Sequence, residues 1–327
     1  MSQIINIGVL GCANIALRSV LPAIHELPEK YRLAGIASRS SDTANENAKR
    51  FNTSPFVGYQ SLLEIEELDA VYIPLPNALH TEWVENALQR GLHVLVEKSL
   101  ACSYSEVQHV NNIASERTLV LVENFQFRFH RQLDVIRSLV QNGEIGNIRC
   151  LRSSFGFPLF PDKNNIRYIK ELGGGALLDA GAYPIKIAQI FLGNEISVQA
   201  SSMSFDSEKG IDMWGGGFLK EIDGDLFVQT AFGFDNFYQC NFEIWGSRAT
   251  LSANRVFTSP PGHEAEIIIE SDDGKRIIKI TPDNHFKNML LHFHTLILNP
   301  ELANTEYSQN VNQARLIAEF REKANEG

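Results

Sequence analysis

The segment Gly8-Val-Leu-Gly11-Cys-Ala13-Asn-Ile-Ala16 follows an apolar run and places small residues where a chain must turn sharply and bring its backbone close to an anion. As a strand-to-helix turn it predicts a pyrophosphate seat made of Gly11, Cys12, Ala13, Asn14 and Ile15, with a helix amino end facing the phosphates. The fingerprint is Gly-x-Ala-x-x-Ala in place of three glycines. A second segment, Ala37-Ser38-Arg39-Ser40, bears on which dinucleotide is held. NAD sites usually end the second strand in a carboxylate that binds the ribose hydroxyls, and a carboxylate would repel a 2′-phosphate. Arg39 instead offers a planar, charged fork and Ser38 and Ser40 offer hydroxyls, so the expected cofactor is NADP, used as NADPH. Two further segments carry candidate chemistry. One is Val96-Glu97-Lys98-Ser99. The other is Glu171-Leu-Gly173-Gly174-Gly175-Ala-Leu-Leu-Asp179-Ala-Gly181-Ala-Tyr183-Pro184, in which Asp179 and Tyr183 share a face if the stretch is helical.

These residues need elements to position them. Apolar runs at 4–10, 31–37, 70–74, 93–96 and 119–122 alternate with helical patterns at 41–51, 81–91 and 103–117, where Ser103 is a natural N-cap. That rhythm predicts βαβ units and a doubly wound parallel sheet of Rossmann type, with ligands at the carboxyl ends of the strands. From Ile148 onward, strand-like runs follow one another at 149–155, 197–205, 226–234, 238–245, 266–271 and 276–280. Turn signals at Asp223-Gly224 and Asp273-Gly274 favour a large, open, mostly antiparallel sheet. Helical segments at 288–298 and 308–323 close the chain. The expected organisation is an α/β NADP-binding domain over 1–124 and an α+β domain for substrate and oligomerisation over 125–327, the C-terminal helix being a candidate for packing back on the first domain.

The 327 residues include 44% hydrophobic and 21% charged side chains, the balance of a globular protein with large cores. A formal charge of −10 argues against general affinity for nucleic acid or an anionic membrane. No run approaches the roughly 18 apolar residues of a membrane span. The start, Met1-Ser-Gln-Ile-Ile-Asn-Ile-Gly, reads as a strand without the basic region of a signal peptide, so a cytoplasmic location is expected. Cys12, Cys102, Cys150 and Cys240 show neither CxxC nor paired-histidine spacing, which predicts reduced thiols and no metal site.

Together, the glycine turn, Glu97-Lys98 and the Gly173-Gly174-Gly175…Asp179…Tyr183 motif make nearly the whole chain resemble the glucose-fructose oxidoreductase and inositol dehydrogenase (Gfo/Idh/MocA) family. Within it, the chain is similar to the nucleotide-sugar 3-ketoreductases of deoxysugar biosynthesis through Gly11-Cys-Ala-Asn-Ile-Ala16, Tyr72-Ile-Pro-Leu-Pro-Asn-Ala-Leu-His80, Glu123-Asn-Phe125, Ile166-Arg-Tyr168 and Asn254-Arg-Val-Phe-Thr258. The resemblance implies hydride transfer between NADPH and a sugar carbonyl. Such a transfer leaves an alkoxide, which needs an acid and a nearby cation. By resemblance Tyr183 is the acid, Lys98 orients the carbonyl and eases Tyr183 towards phenolate, and Asp179 meets the same ligand. Also by resemblance, Pro74, Leu75, Pro76, Asn77, His80, Glu97, Lys98 and Asn124 line the nicotinamide side of the cofactor, His80 having a helix-entry role and Glu97 a strand-capping role as alternatives. Arg167 and Tyr168 are candidates for holding the sugar or its diphosphate, Arg167 having a structural salt bridge as its alternative. The triple glycine is expected to let backbone approach substrate or nicotinamide.

Two departures from the family pattern stand out. Ser99 replaces the usual proline, which argues against a cis peptide after Lys98. Tyr183 replaces the commoner histidine and Lys186 a second aspartate, which steers towards the tyrosine-using branch. Rival readings are a free aldose or trans-dihydrodiol dehydrogenase, and a non-catalytic NADP-binding sensor. A sugar or nucleotide sugar is the expected small-molecule partner. An open sheet with one uncovered face predicts a homodimer or homotetramer.

Overall fold

Strands that run Val/Ile/Leu-rich without alternation are buried on both faces, and those of the first half behave so: every residue of Ala70–Ile73 and of Leu121–Asn124 is buried. The computed structural model describes residues 3–325, so Met1 and Ser2 of the expected first strand lie outside the described residues. Among the described residues, β1 (Ile5–Leu10), β2 (Tyr31–Ser38), β3 (Ser54–Val57), β4 (Ala70–Ile73), β5 (His93–Glu97) and β6 (Leu121–Asn124) form a parallel six-stranded sheet in the order β3-β2-β1-β4-β5-β6. This is the doubly wound order whose switch point lies between β1 and β4. The crossovers carry α1 (Leu21–His25, entered through a π-helical turn at Ala16–Val20), α2 (Ser41–Arg50), α3 (Tyr59–Leu63), α4 (His80–Gln89) and α5 (Tyr104–Glu116). Ser103 caps α5, its hydroxyl accepting from the Glu106 amide and donating to the Glu106 carboxylate.

After α6 (Arg131–Gln141) the second half forms an eight-stranded sheet from β7 (Ile148–Phe157), β8 (Ile196–Asp206), β9 (Ile211–Glu221), β10 (Phe227–Phe234), β11 (Gln239–Gly246), β12 (Ala249–Asn254), β13 (Ala265–Ser271) and β14 (Gly274–Ile280). The order is β14-β13-β12-β11-β7-β10-β9-β8, antiparallel except where β10 pairs with β7. The helix α7 (Ala182–Leu192) packs on β7 and β10. The helices α8 (His285–Leu298) and α9 (Asn304–Asn325) follow the last strand.

The architecture is the one expected, and the elements missed at sequence level are instructive. The strand β3 is a short edge containing Pro55, β9 has its alternation interrupted by Gly215, Gly216 and Gly217, and β12 is made of small and polar residues around one leucine. α6 starts at an unusual cap, His130, whose Nδ1 accepts from the Gln132 amide.

The chain divides into two compact units. One holds the described residues up to Asn124 together with Phe286–Val311, and the other holds Phe125–His285 with the described residues from Asn312 on. The second stretch is therefore not continuous from 125 onward. Hydrogen bonds tie the 286–311 segment to the first sheet: Tyr31 Oη donates to the Leu290 carbonyl, Tyr307 Oη to the Leu119 carbonyl and Asn310 Nδ2 to the Leu121 carbonyl. Among the described residues no helix is long and apolar enough to cross a membrane.

Candidate active site

The cofactor half is assembled at the carboxyl ends of β1, β2, β4, β5 and β6. Gly11 has φ +118°, and a Cβ there would lie 2.9 Å from Leu75 Cδ2, so the turn needs glycine both for its backbone and for its contact with the loop after β4. Cys12, Ala13 and Ile15 are half-buried and Asn14 is exposed, where the chain enters its first helix. Burial pushes the Cys12 thiol up, so it stays protonated. At the end of β2, Ser38 Oγ accepts from the Ser40 amide and Ser40 Oγ caps α2 by accepting from the Thr43 amide. Both serines are thus structural, though a capping hydroxyl keeps its proton to donate. Arg39 is exposed, and its guanidinium interacts with the Tyr59 hydroxyl at the start of α3. Tyr59 carried no signal in the sequence.

A buried polar network joins the next three strand ends. Glu97 Oε1 accepts from Tyr72 Oη and from Asn124 Nδ2, both at 2.6 Å. Burial raises the Glu97 pKa, while Tyr72, Asn124 and Lys98 pull it down. Asn124 is 1% exposed, and its Oδ1 has no hydrogen-bond partner among the described residues. An orphaned acceptor at a strand end suits an amide donor such as a carboxamide, and together with the Gly11 turn and Arg39 it fits a nicotinamide dinucleotide. Pro74 and Leu75 are buried and Pro76 and Asn77 half-buried in the loop between β4 and α4.

At this end the structure selects one alternative and corrects one expectation. His80 is the helix-entry residue, 0% exposed at the start of α4, where Nδ1 lies 2.8 Å from the Ser99 carbonyl oxygen and Nε2 2.7 Å from that of Leu75. Burial and the Lys98 charge push its pKa down to about 4, the two carbonyls pulling the other way. The Lys98–Ser99 peptide is cis despite the serine. Its flanks are held by tertiary contacts, with His80 at the Ser99 carbonyl and the Leu100 amide donating to Glu123 Oε1 at 2.9 Å.

The second unit holds the other candidates. Asp179 sits in a π-helical turn, Leu177–Gly181, that runs directly into α7 and Tyr183. Arg167 Nε donates to Asp179 Oδ2 at 2.6 Å, so the salt-bridge alternative for Arg167 is realised. Burial works against the guanidinium charge, and Asp179 outweighs it; the same charge also acts on the hydroxyls of Tyr183 and Tyr168. The Arg167 guanidinium also stacks on Phe160, 4.7 Å from the ring centroid. Tyr183 is 7% exposed in a cage of Phe125, Phe127, Phe155 and Phe257, with ring centroids 5.0–5.7 Å away. Such contacts fix the ring plane and contribute about 0.5–1.5 kcal/mol per pair beyond area burial. Tyr168 is buried, and its hydroxyl accepts from the Phe160 amide at 2.8 Å, which makes it a post for the 158–168 loop where a substrate contact was expected.

The triple glycine serves the chain's own packing. A Cβ on Gly174 would lie 2.6 Å from the Arg167 carbonyl oxygen and 2.8 Å from that of Ile169. The Gly175 amide donates to the Arg167 carbonyl and the Leu177 amide to the half-buried Asp212. These contacts brace Arg167 against the start of α7, so the expected approach of glycine backbone to substrate gives way to approach between two segments of one chain. Asp212, on β9, was not foreseen. Among the described residues no group of three His, Cys, Asp or Glu side chains could hold a metal, and all four cysteines are free thiols.

A model of the oxidoreductase family with an NAD-binding Rossmann fold matches residues 5–125, and the GFO/IDH/MocA C-terminal domain model matches residues 134–268. The dTDP-3,4-didehydro-2,6-dideoxy-alpha-D-glucose 3-reductase of Streptomyces violaceoruber is 40% identical over 83% of this chain and 78% of its own. The D-xylose 1-dehydrogenase (NADP(+)) 2 of Haloferax volcanii is 31% identical over 98% of this chain and 97% of its own. Among solved structures, a 3-ketoreductase from Actinomadura kijaniata in complex with NADP and TDP-benzene is 35% identical, with a TM-score of 0.94 over 98% of both chains.

Proposed function

Since the chain belongs to the Gfo/Idh/MocA family of oxidoreductases, we propose that it is a cytosolic, NADPH-dependent ketoreductase acting on a 3-keto deoxysugar linked to a nucleoside diphosphate. The observation that carries this reading is likeness, across nearly the whole chain, to a ketoreductase solved with NADP and a TDP ligand. Arg39 at the end of β2 supports the 2′-phosphorylated cofactor, and the Gly11 turn supports its pyrophosphate.

When bound, NADPH supplies a hydride to the carbonyl carbon. The residues of the chain do the rest. Tyr183 gives its hydroxyl proton to the oxygen that becomes negative, and its aromatic cage holds the phenol in one orientation. Lys98 supplies positive charge that stabilises the developing alkoxide. In the second unit the Arg167 guanidinium, held in place by Asp179, acts electrostatically on the Tyr183 hydroxyl. Glu97, held by Tyr72 and Asn124, and the free acceptor on Asn124 orient the nicotinamide end.

Absorbance at the nicotinamide band tests the reading. With purified protein and NADPH, a freshly generated dTDP-3-keto-6-deoxyhexose should be reduced rapidly, and the same keto sugar without its nucleotide slowly or not at all. The second reading, a free aldose dehydrogenase, is favoured by the match to the Haloferax enzyme over nearly the full length. Turnover of free aldose with NADP+ and none of the nucleotide sugar would select it.

The face of the second sheet that carries Arg152, Gln229, Glu243 and half-exposed Trp214 and Trp245 is assigned to subunit association as a dimer or tetramer.

A further inference from the structure

We infer that His80 is a positioning residue for Lys98: its buried imidazole fixes the loop that follows β5 by hydrogen bonding to the Ser99 carbonyl, and so sets where the lysine side chain begins. The inference rests on the reading of Lys98 as the cation of the reductase.

The geometry gives this ring an unusual place. His80 opens α4 and is completely buried. Each ring nitrogen meets a main-chain carbonyl, Nδ1 that of Ser99 after β5 and Nε2 that of Leu75 after β4. Leu75 in turn packs on Gly11, with its Cδ2 2.9 Å from where a glycine Cβ would be. The neutral ring carries one N–H, which on Nδ1 donates to the Ser99 carbonyl and leaves Nε2 against that of Leu75, so the imidazole abuts two adjacent strand-end loops and through Leu75 reaches a third, the phosphate turn. β1, β4 and β5 are neighbours in the sheet, so these loops emerge side by side and need a common reference.

The loop is clamped on its other side as well. The Leu100 amide donates to Glu123 Oε1 at 2.9 Å, and Glu123 is only 2% exposed on β6. Ser99 and Leu100 are therefore each held at the backbone, the first through its carbonyl and the second through its amide, directly after Lys98. A lysine on a flexible stem delivers its charge accurately only if the stem starts from a fixed point. The Lys98 charge adds to the burial that lowers the His80 pKa.

Conservative replacements separate the two contacts, because an asparagine amide stands near Nδ1 and a glutamine amide near Nε2. His80→Asn keeps a donor towards Ser99; His80→Gln keeps one towards Leu75 alone. In the full-length protein with NADPH, two quantities are read: kcat and KM for the nucleotide sugar, and the NMR titration of Lys98 in lysine-labelled protein, assigned by its loss in Lys98→Ala. His80→Gln is expected to shift the Lys98 titration and lower kcat at least tenfold, with KM and NADPH affinity little changed, and His80→Asn to stay within about threefold of wild type. The inference is overturned if both variants leave kcat and the Lys98 titration unchanged. It is overturned equally if both fail together with loss of NADPH binding and of thermal stability, the pattern of a purely structural histidine. If wild-type protein reduces no nucleotide sugar, the proposed function fails by itself, and the Lys98 titration still decides whether His80 positions the lysine.

Discussion

At the carboxyl ends of β4, β5 and β6 the candidate groups are held through main-chain atoms and buried polar side chains: Glu97 between Tyr72 and Asn124, the Lys98 loop between His80 and Glu123. At the start of α7 the means are different. Tyr183 is fixed by four aromatic rings, and its electrostatic surroundings come from a side-chain ion pair, Arg167–Asp179. A parallel sheet puts several strand ends side by side, so backbone carbonyls and amides are available as anchors wherever a loop departs. A lone helix start on an antiparallel sheet offers few such anchors, and apolar packing supplies the rigidity instead. Substitutions at the first site should therefore disturb chemistry through geometry, and those at the second should divide cleanly between chemistry and stability.

The largest effect is expected at Lys98. Lys98→Ala should lower kcat about 10³-fold while NADPH still binds, because the charge acts on the developing oxyanion. Retention of kcat, seen in steady-state assays beside a fluorescence titration of NADPH, would remove the lysine from the mechanism. Next is Tyr183, where the contrast is sharpest. Tyr183→Phe keeps the packed ring and should lose about 10²-fold in kcat with little change in melting temperature. Tyr183→Ala should in addition cost about 3–5 kcal/mol by leaving a cavity among Phe125, Phe127, Phe155 and Phe257. A Phe variant with full turnover would show that the ring is there for packing alone.

Arg39→Ala should reduce the preference for NADPH over NADH, as a ratio of kcat/KM, by about ten- to a hundredfold, the equivalent of about 1.5–3 kcal/mol for hydrogen bonds to a charged group. An unchanged ratio would place recognition of the 2′-phosphate elsewhere. The smallest effect concerns stability in acid. Burial pushes the His285 pKa down to about 3, with facing His130 adding to the shift and Asp283 opposing it; His130 is itself lowered by burial and neighbouring His263, against Asp283. Histidines that stay neutral when folded bind fewer protons than in the unfolded chain, so their stabilisation is complete above about pH 6.5 and is lost as pH falls towards the folded values. One such histidine loses about 2 kcal/mol between pH 7 and pH 5. Protonation of His130 Nδ1 would also remove the acceptor that caps α6. Urea denaturation at both pH values should show the loss, and His285→Gln should reduce it; a variant with the same pH dependence as wild type would acquit this pair.

Both sheets and the family were legible from local pattern, because strand runs, turn dipeptides and a glycine turn are properties of neighbouring residues. So were the candidate residues, since a motif is read along the chain. What the motif could not convey was what each residue touches. His80 and Tyr168 looked like ligand contacts and are buried posts, and the triple glycine looked like a seat for substrate and makes room for the Arg167 and Ile169 carbonyls. Tyr59 and Asp212 had no signal, and Tyr72 and Glu123 stood in motifs without a role of their own, because each acts on a residue distant in sequence.

The sequence by itself determined the alternation of elements, the glycine at the phosphate turn, and the arginine where a carboxylate would exclude NADP. These follow from backbone sterics, charge and residue type. Only the tertiary structure decided that the Lys98–Ser99 peptide is cis, that Arg167 belongs to Asp179, and that residues 286–311 belong with the first sheet. Each depends on hydrogen bonds and burial between segments far apart in the chain, and periodicity within a segment carries no record of its distant partners.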